Sequence, residues 1–284
     1  MKIISFKRAG IESFGVLIES GIIDLAPHAS KVGATLRQAL LRGSLAEIGE
    51  IAVRSQADFG IGDIAFLPVI PDPQKILCIG INYVAHVRET GKAIPDKPTI
   101  FTRFADSQTA HNAAIVRPRV SEKLDYEGEL AVVIGRPARH VSAKTALDYV
   151  AGYACYNDGS VRDWQRHASQ LTPGKNFPGT GGFGPWLVTA DELGDPSALT
   201  VTTRLNDAVV QHAPTDDLIF DIPALIEYIS TFTPLAPGDV IVTGTTGGVG
   251  AYRQPPLWMK PGDVVEVEIS KIGILRNTIV DEPI

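Results

Sequence analysis

The sequence predicts an α+β fold, mainly β, and three observations carry that prediction. Short apolar, β-branched runs recur between loops rich in Gly and Pro. Helical patterns are few and do not alternate regularly with the strands, which excludes a repeating βαβ plan. The 284 residues are 44% hydrophobic and 20% charged, with no low-complexity tract. That is the balance of a globular chain long enough to bury a large core.

Residues 1–70 read as a small β-rich N-terminal domain. "KIISFKR" (2–8) and "FGVLIESGIIDL" (14–25) give strands, with a hairpin turn near Glu19-Ser20-Gly21. "ATLRQALLRG" (34–43) reads as a short helix with Gly43 just past its end. The Pro-rich run "LPVIPDPQ" (67–74) marks the boundary, leaving 71–284 as the larger domain. There "KILCIGIN", "ELAVVIGR", "PWLVT", "LTVTTRLN", "DVIVTG" and "DVVEVEIS" are the strands. Helices are expected around 82–91, 142–151, 160–170 and 221–231. "LAPGDVIV" and "MKPGDVVEV" each place Pro-Gly-Asp before a β-branched run, a turn that feeds a strand.

Composition excludes several functions. A net charge of −6 and a pI of about 5.5 argue against a nucleic-acid or anionic-membrane partner. No apolar run reaches the roughly 18 residues of a membrane helix. "MKIISFKRAG" carries charge too early for a signal peptide, so a cytoplasmic location is expected. Cys78 and Cys155 sit in apolar runs and read as buried, reduced thiols.

The chemistry starts at "LDYEGELAVVIGR", Leu124 to Arg136. Asp125, Glu127 and Glu129 occupy alternate positions, which share one face of a strand. The run that follows is core. A carboxylate pushed into a packed sheet must be paired, protonated or bound to a cation. No Lys or Arg occurs in this run before Arg136. A hard cation with oxygen ligands, Mg²⁺ or Mn²⁺, is then a natural partner for Glu127 and Glu129. Asp158, in "GYACYNDGSVRDWQ", is the best third ligand, although taken alone it suits a helix N-cap better. Asp125 reads as structural. The spacing rules out an EF-hand, and six histidines without HExxH give no zinc site.

In "GINYVAHVRE", His86 and Glu89 lie three apart on one helical face, where a carboxylate can orient an imidazole base. By itself such a spacing describes an ordinary surface pair. "TPGKNFPGTGGFGPW" (172–186) reads as an irregular, mobile or close-approach loop containing Lys175, and it is not a Walker motif. "TGTTGGVG" (243–250) lacks GxGxxG and excludes dinucleotide binding. Arg103, Arg162 and Arg166 are basic residues suited to an anionic substrate.

The combination and order of "GINYVAHVRE", "DYEGELAVVIGR", "VAGYACYNDGSVRDWQ", "GKNF…GPWLVT" and "LAPGDVIVTGTTGGVG" resemble the fumarylacetoacetate hydrolase family, from about Lys75 to Asn277. The resemblance implies a mixed β-sandwich roll with a small N-terminal domain, a homodimer and a divalent Mg²⁺ or Mn²⁺ ion on Glu127, Glu129 and Asp158. It makes His86 and Glu89 the water-activating dyad and places Lys175 against the keto-acid end of a small anionic oxo acid. Thr245, Arg162, Gln165 and Arg103 are implied substrate contacts. Arg103 stands where many members have Lys, and Thr246 and Pro178 also depart from the pattern. The implied activity is hydrolysis of a C–C bond in an acylpyruvate such as maleylpyruvate or fumarylpyruvate, in aromatic catabolism. Oxaloacetate decarboxylation and isomerisation of a hydroxymuconate or 2-hydroxyhepta-2,4-diene-1,7-dioate are the alternatives. A non-catalytic metal-binding protein ranks behind, since no site residue is missing.

Overall fold

Apolar alternation decides how the central strand is used. In Gly128–Ile134, Leu130, Val132 and Ile134 point into one hydrophobic cluster, while Ala131 and Val133 point into another. A strand covered on both faces reads as a continuous apolar run. The computed structural model describes residues 1–283 and has the predicted α+β, mainly β architecture.

The principal sheet has eleven strands. Its main path runs Gly21–Asp24, Ile11–Ile18, Lys2–Arg8, Gly181–Thr189, Val150–Asp158, Gly128–Ile134, Val240–Val242, Ile76–Gly80 and Thr99–Arg103. A five-stranded sheet, in the order Ala208–Pro214, Thr200–Leu205, Val264–Ile269, Gly273–Asp281 and Ile115–Arg117, packs against it. Val201, Val267, Ile269 and Leu275 meet Leu130, Tyr153 and Cys155 between the sheets. The helix Ile222–Phe232, capped by Asp221 on the Ala224 N–H at 2.8 Å, closes the same core with Ile222, Leu225, Ile226 and Ile229. The opposite face is covered by Leu36, Ala39, Leu40 and Ile48 of the helices Leu36–Arg42 and Leu45–Arg54.

The N-terminal segment continues the principal sheet, with Lys2 opposite Val188 and Ile3 opposite Leu187. The hairpin turns at Glu19-Ser20, between paired Ile18 and Gly21. Thr35 caps the helix Leu36–Arg42, and Gly43 ends it at φ +69°. Both Pro-Gly-Asp turns form: Gly238 and Gly262 have φ +87° and +91°. The Asp239 and Asp263 carboxylates accept the N–H of Ala236 and Lys260 at 2.8 and 2.7 Å.

The structure corrects other expectations. The helix expected around 142–151 is present as Ala143–Tyr149 but is of the 3₁₀ type, and it ends where Val150 enters the core strand. Of 160–170, only Arg162–Gln165 is helical, because Ser160–Val161 pairs with Leu124–Asp125 instead. The helix Leu45–Arg54 was hidden by Gly43-Ser44 before it and Gly49 within it, all breakers by propensity. The glycine-rich run is regular too, with a helical turn at Thr172–Lys175 and a strand from Gly181 to Thr189. Close approach is the reason for the glycine at 181, where a Cβ would lie 2.7 Å from the Arg103 guanidinium. Cys78 and Cys155 are free and buried. Among the described residues no helix is long and apolar enough to cross a membrane.

His111 gives the fold a pH dependence. Its Nδ1 accepts the Arg276 N–H at 3.1 Å and its ring packs edge-on against Phe66, 4.6 Å away. Burial, and then the Arg276 charge, push its pKa down to about 4. A free histidine titrates near about 6.5. The neutral ring's contribution is therefore complete above about pH 6.5 and is withdrawn as pH falls towards 4, where the folded form also protonates. In melts between pH 7 and 4, the wild type should lose stability relative to His111→Asn. Parallel curves would exclude this account.

Candidate metal centre and active site

Strand pairing assembles the acidic site. Gly128 lies opposite Asn157 and Glu129 opposite Tyr156, and the Asp158 N–H donates to the Glu127 carbonyl at 2.8 Å. That register sets Asp158 beside Glu127. Asp158 is the last residue of its strand and not an N-cap; the cap position of the next helical turn is Val161. Carboxylate oxygens of Glu127, Glu129 and Asp158 all lie within 4.8 Å of one another, and all three residues are buried.

The basic partners come from distant segments. Arg162 donates to Glu127 Oε1 at 2.7 Å, to Asp125 Oδ2 at 2.8 Å and to Gln165 Oε1 at 3.0 Å. Asp125 also accepts the amides of Gly250 and Ala251 at 2.8 and 2.9 Å, a structural role as expected. Lys175 Nζ bridges Glu127 Oε2 and Asp158 Oδ2. Arg103 takes a different place from the other expected substrate contacts. Its side chain is fully buried behind Asp158, away from the cavity wall. It donates to Asp158 Oδ1 at 2.7 Å, to the Gly159 carbonyl at 3.0 Å and to Thr180 Oγ1 at 2.8 Å. All of its hydrogen bonds are to the protein's own groups, and the one to Asp158 holds that carboxylate in place.

The electrostatics separate the two glutamates. Burial works to raise the Glu127 pKa, but Arg162 and Lys175 outweigh it and hold the carboxyl well below its ordinary range. Glu129 goes the other way: burial, then Asp158 and Glu127, raise it far above the ordinary value. Its hydrogen bond is from the Gly244 N–H, at 2.6 Å. Three convergent oxygen ligands, one of them lacking a cationic partner, fit a hard divalent cation.

A histidine paired with a carboxylate reaches the same cavity. The helix Val84–Thr90 follows the strand Ile76–Gly80 and brings His86 Nδ1 to 2.9 Å from Glu89 Oε2. Glu89 Oε1 accepts the Gly248 N–H at 2.8 Å, so the orienting carboxylate is itself fixed. His86 is only 6% exposed, which is not the behaviour of a surface pair. With Nδ1 donating to Glu89, Nε2 carries the lone pair.

The cavity has a volume of about 360 Å³. The acidic triad, His86, Lys175, Arg162, Gln165 and Thr245 line it. Thr245 Oγ1 donates to the Gly128 carbonyl at 3.1 Å and accepts from Gln211 Nε2 at 2.8 Å. Gln211, Tyr252 and Lys92 carried no motif signal; they arrive by folding alone. A larger surface groove of about 560 Å³ against Ile222–Phe232 lacks such a carboxylate cluster.

Fold and site define a class: a β-roll protein whose buried carboxylates can hold a divalent metal beside an oriented histidine. A family model described as fumarylacetoacetate (FAA) hydrolase C-terminal matches residues 75–280. The chain belongs to the fumarylacetoacetate hydrolase family, whose members are enzymes. It is 36% identical over 287 residues to the mitochondrial oxaloacetate tautomerase Fahd2a of Rattus norvegicus, covering 99% of this chain and 92% of that protein. A fumarylacetoacetate hydrolase from Exiguobacterium antarcticum superposes with a TM-score of 0.84 at 31% identity, covering 99% of this chain and 100% of that one. The maleylpyruvate hydrolase of Sphingobium sp. SYK-6, solved with manganese(II) and pyruvate, superposes with a TM-score of 0.83 at 28% identity, with both chains fully covered.

Proposed function

We propose that the protein is a Mg²⁺- or Mn²⁺-dependent enzyme that moves a proton next to the keto group of a small 2-oxo dicarboxylic acid, as in keto–enol tautomerisation of oxaloacetate. The observation that carries this reading is the clamped His86–Glu89 pair in one cavity with the carboxylate triad. The likeness to the rat tautomerase over nearly the whole chain supports it. Glu127, Glu129 and Asp158 would hold the metal. When bound, the metal supplies Lewis-acid stabilisation of enolate charge.

The remaining steps belong to side chains. His86 Nε2 takes the proton from the carbon beside the keto group, Glu89 stabilises the imidazolium that forms, and the imidazolium then gives that proton to the keto oxygen as the enol appears. The reverse path returns the proton to carbon. Arg162, held by Asp125, fixes the Glu127 carboxylate.

Acylpyruvate hydrolysis, first by motif, becomes the second reading. It is favoured by the likeness to the manganese- and pyruvate-bound maleylpyruvate hydrolase, and the same dyad can deprotonate a water. One experiment separates them. With Mn²⁺ or Mg²⁺, the protein should accelerate decay of the oxaloacetate enol absorbance, and EDTA should stop it. Pyruvate release from acylpyruvates without enol catalysis would replace the first reading by the second; inactivity in both assays would sink both.

A further inference from the structure

We propose that Lys92 and Arg166 bind the far carboxylate of a 2-oxo diacid and so set a preference for diacids over monoacids. The inference rests on the oxo-acid reading above and extends it to the other end of the substrate.

Four basic side chains line the cavity, Arg162, Lys175, Lys92 and Arg166. The first two are buried and already committed: Arg162 to Asp125 and Glu127, Lys175 to Glu127 and Asp158. They balance the protein's own carboxylates and leave little charge for a second substrate carboxylate. Lys92 and Arg166 are exposed, and among the described residues neither side chain makes a hydrogen bond or ion pair. They reach the cavity from different segments. Lys92 follows Gly91, whose φ of +65° turns the chain out of the helix bearing His86. Arg166 follows the turn bearing Arg162 and Gln165.

The same cavity lining includes the apolar side chains Ile79, Phe101 and Leu171. The lining thus combines buried ion pairs, apolar side chains and two exposed cations that pair with nothing among the described residues. A 2-oxo diacid has parts that match all three: an oxo-acid head, a short carbon chain and a free carboxylate. Arg suits that carboxylate by paired N–H donors and Lys by point charge. Each contact is partly solvated, so together they should give about tenfold.

The test uses the Mn²⁺-loaded full chain and titration calorimetry with 2-oxoglutarate and 2-oxopentanoate, which differ by the far carboxylate. The readout is the ratio of the two affinities. The wild type should favour the diacid about tenfold, Lys92→Gln/Arg166→Gln should bring the ratio near one, and Lys92→Glu/Arg166→Glu should invert it. A diacid preference that survives the double Gln variant overturns the inference. So does a wild type that binds both acids equally, and that result leaves the oxo-acid reading standing. Failure of both acids to bind would overturn the two together.

Discussion

Glu127→Gln and Glu129→Gln should abolish Mn²⁺ binding alike, yet shift the stability of the metal-free protein in opposite directions. Both remove a proposed ligand, so affinity should fall by more than about a hundredfold, the upper range for losing even an outer-shell partner. The metal-free consequences differ because the charges around the two residues differ. Glu127 neutralises Arg162 and Lys175 in the interior. Removing one partner of a buried pair costs about 3–5 kcal/mol, and the lower end applies because Arg162 keeps Asp125 and Lys175 keeps Asp158. Glu129 instead buries a carboxylate against two others, with a single amide donor. A glutamine there keeps an oxygen for Gly244 and removes the repulsion, so the metal-free melting temperature should rise. Calorimetric melts with and without Mn²⁺ decide it. A Glu129→Gln protein that is less stable without metal, or that still gains stability from Mn²⁺, would refute the ligand assignment.

His86→Asn should cost about 10²- to 10⁴-fold in turnover, the usual worth of a positioned base, while Mn²⁺ affinity stays close to that of the wild type. His86 makes its hydrogen bond to Glu89 and none to the triad. Glu89→Gln should cost less, since the base survives and only its orientation and charge balance suffer. Turnover and Mn²⁺ titrations on the same preparations provide the check. A His86→Asn enzyme at full rate would move the base elsewhere.

Glu127 and Glu129 were legible because a two-residue spacing on one strand fixes their common side without tertiary information. Asp158 was a candidate third ligand that the order of motifs singled out, since its own surroundings suited a cap better. The clasps could not be read at all. Arg162 meets Asp125 across 37 residues, Arg103 meets Asp158 across 55, and both contacts depend on strand register. For that reason Arg103 looked like a substrate ligand. Glycine propensity misled in the same way: Gly181 and Gly182 lie in a strand, where the missing Cβ makes room for Arg103 and Asn277. The N-terminal hairpin was plain from turn chemistry, but its union with Gly181–Thr189 spans almost two-thirds of the chain and leaves no local trace.

The central strand, sheathed on both faces, gives the site two clocks. Amides of Gly128–Ile134 exchange with solvent only when both hydrophobic clusters come apart, which is close to global unfolding. The seven-residue helix carrying His86 is short, and segments of that kind open locally. Retention of an ion held by these carboxylates would thereby be tied to the slowest breathing mode of the molecule, and placement of His86 to a faster one.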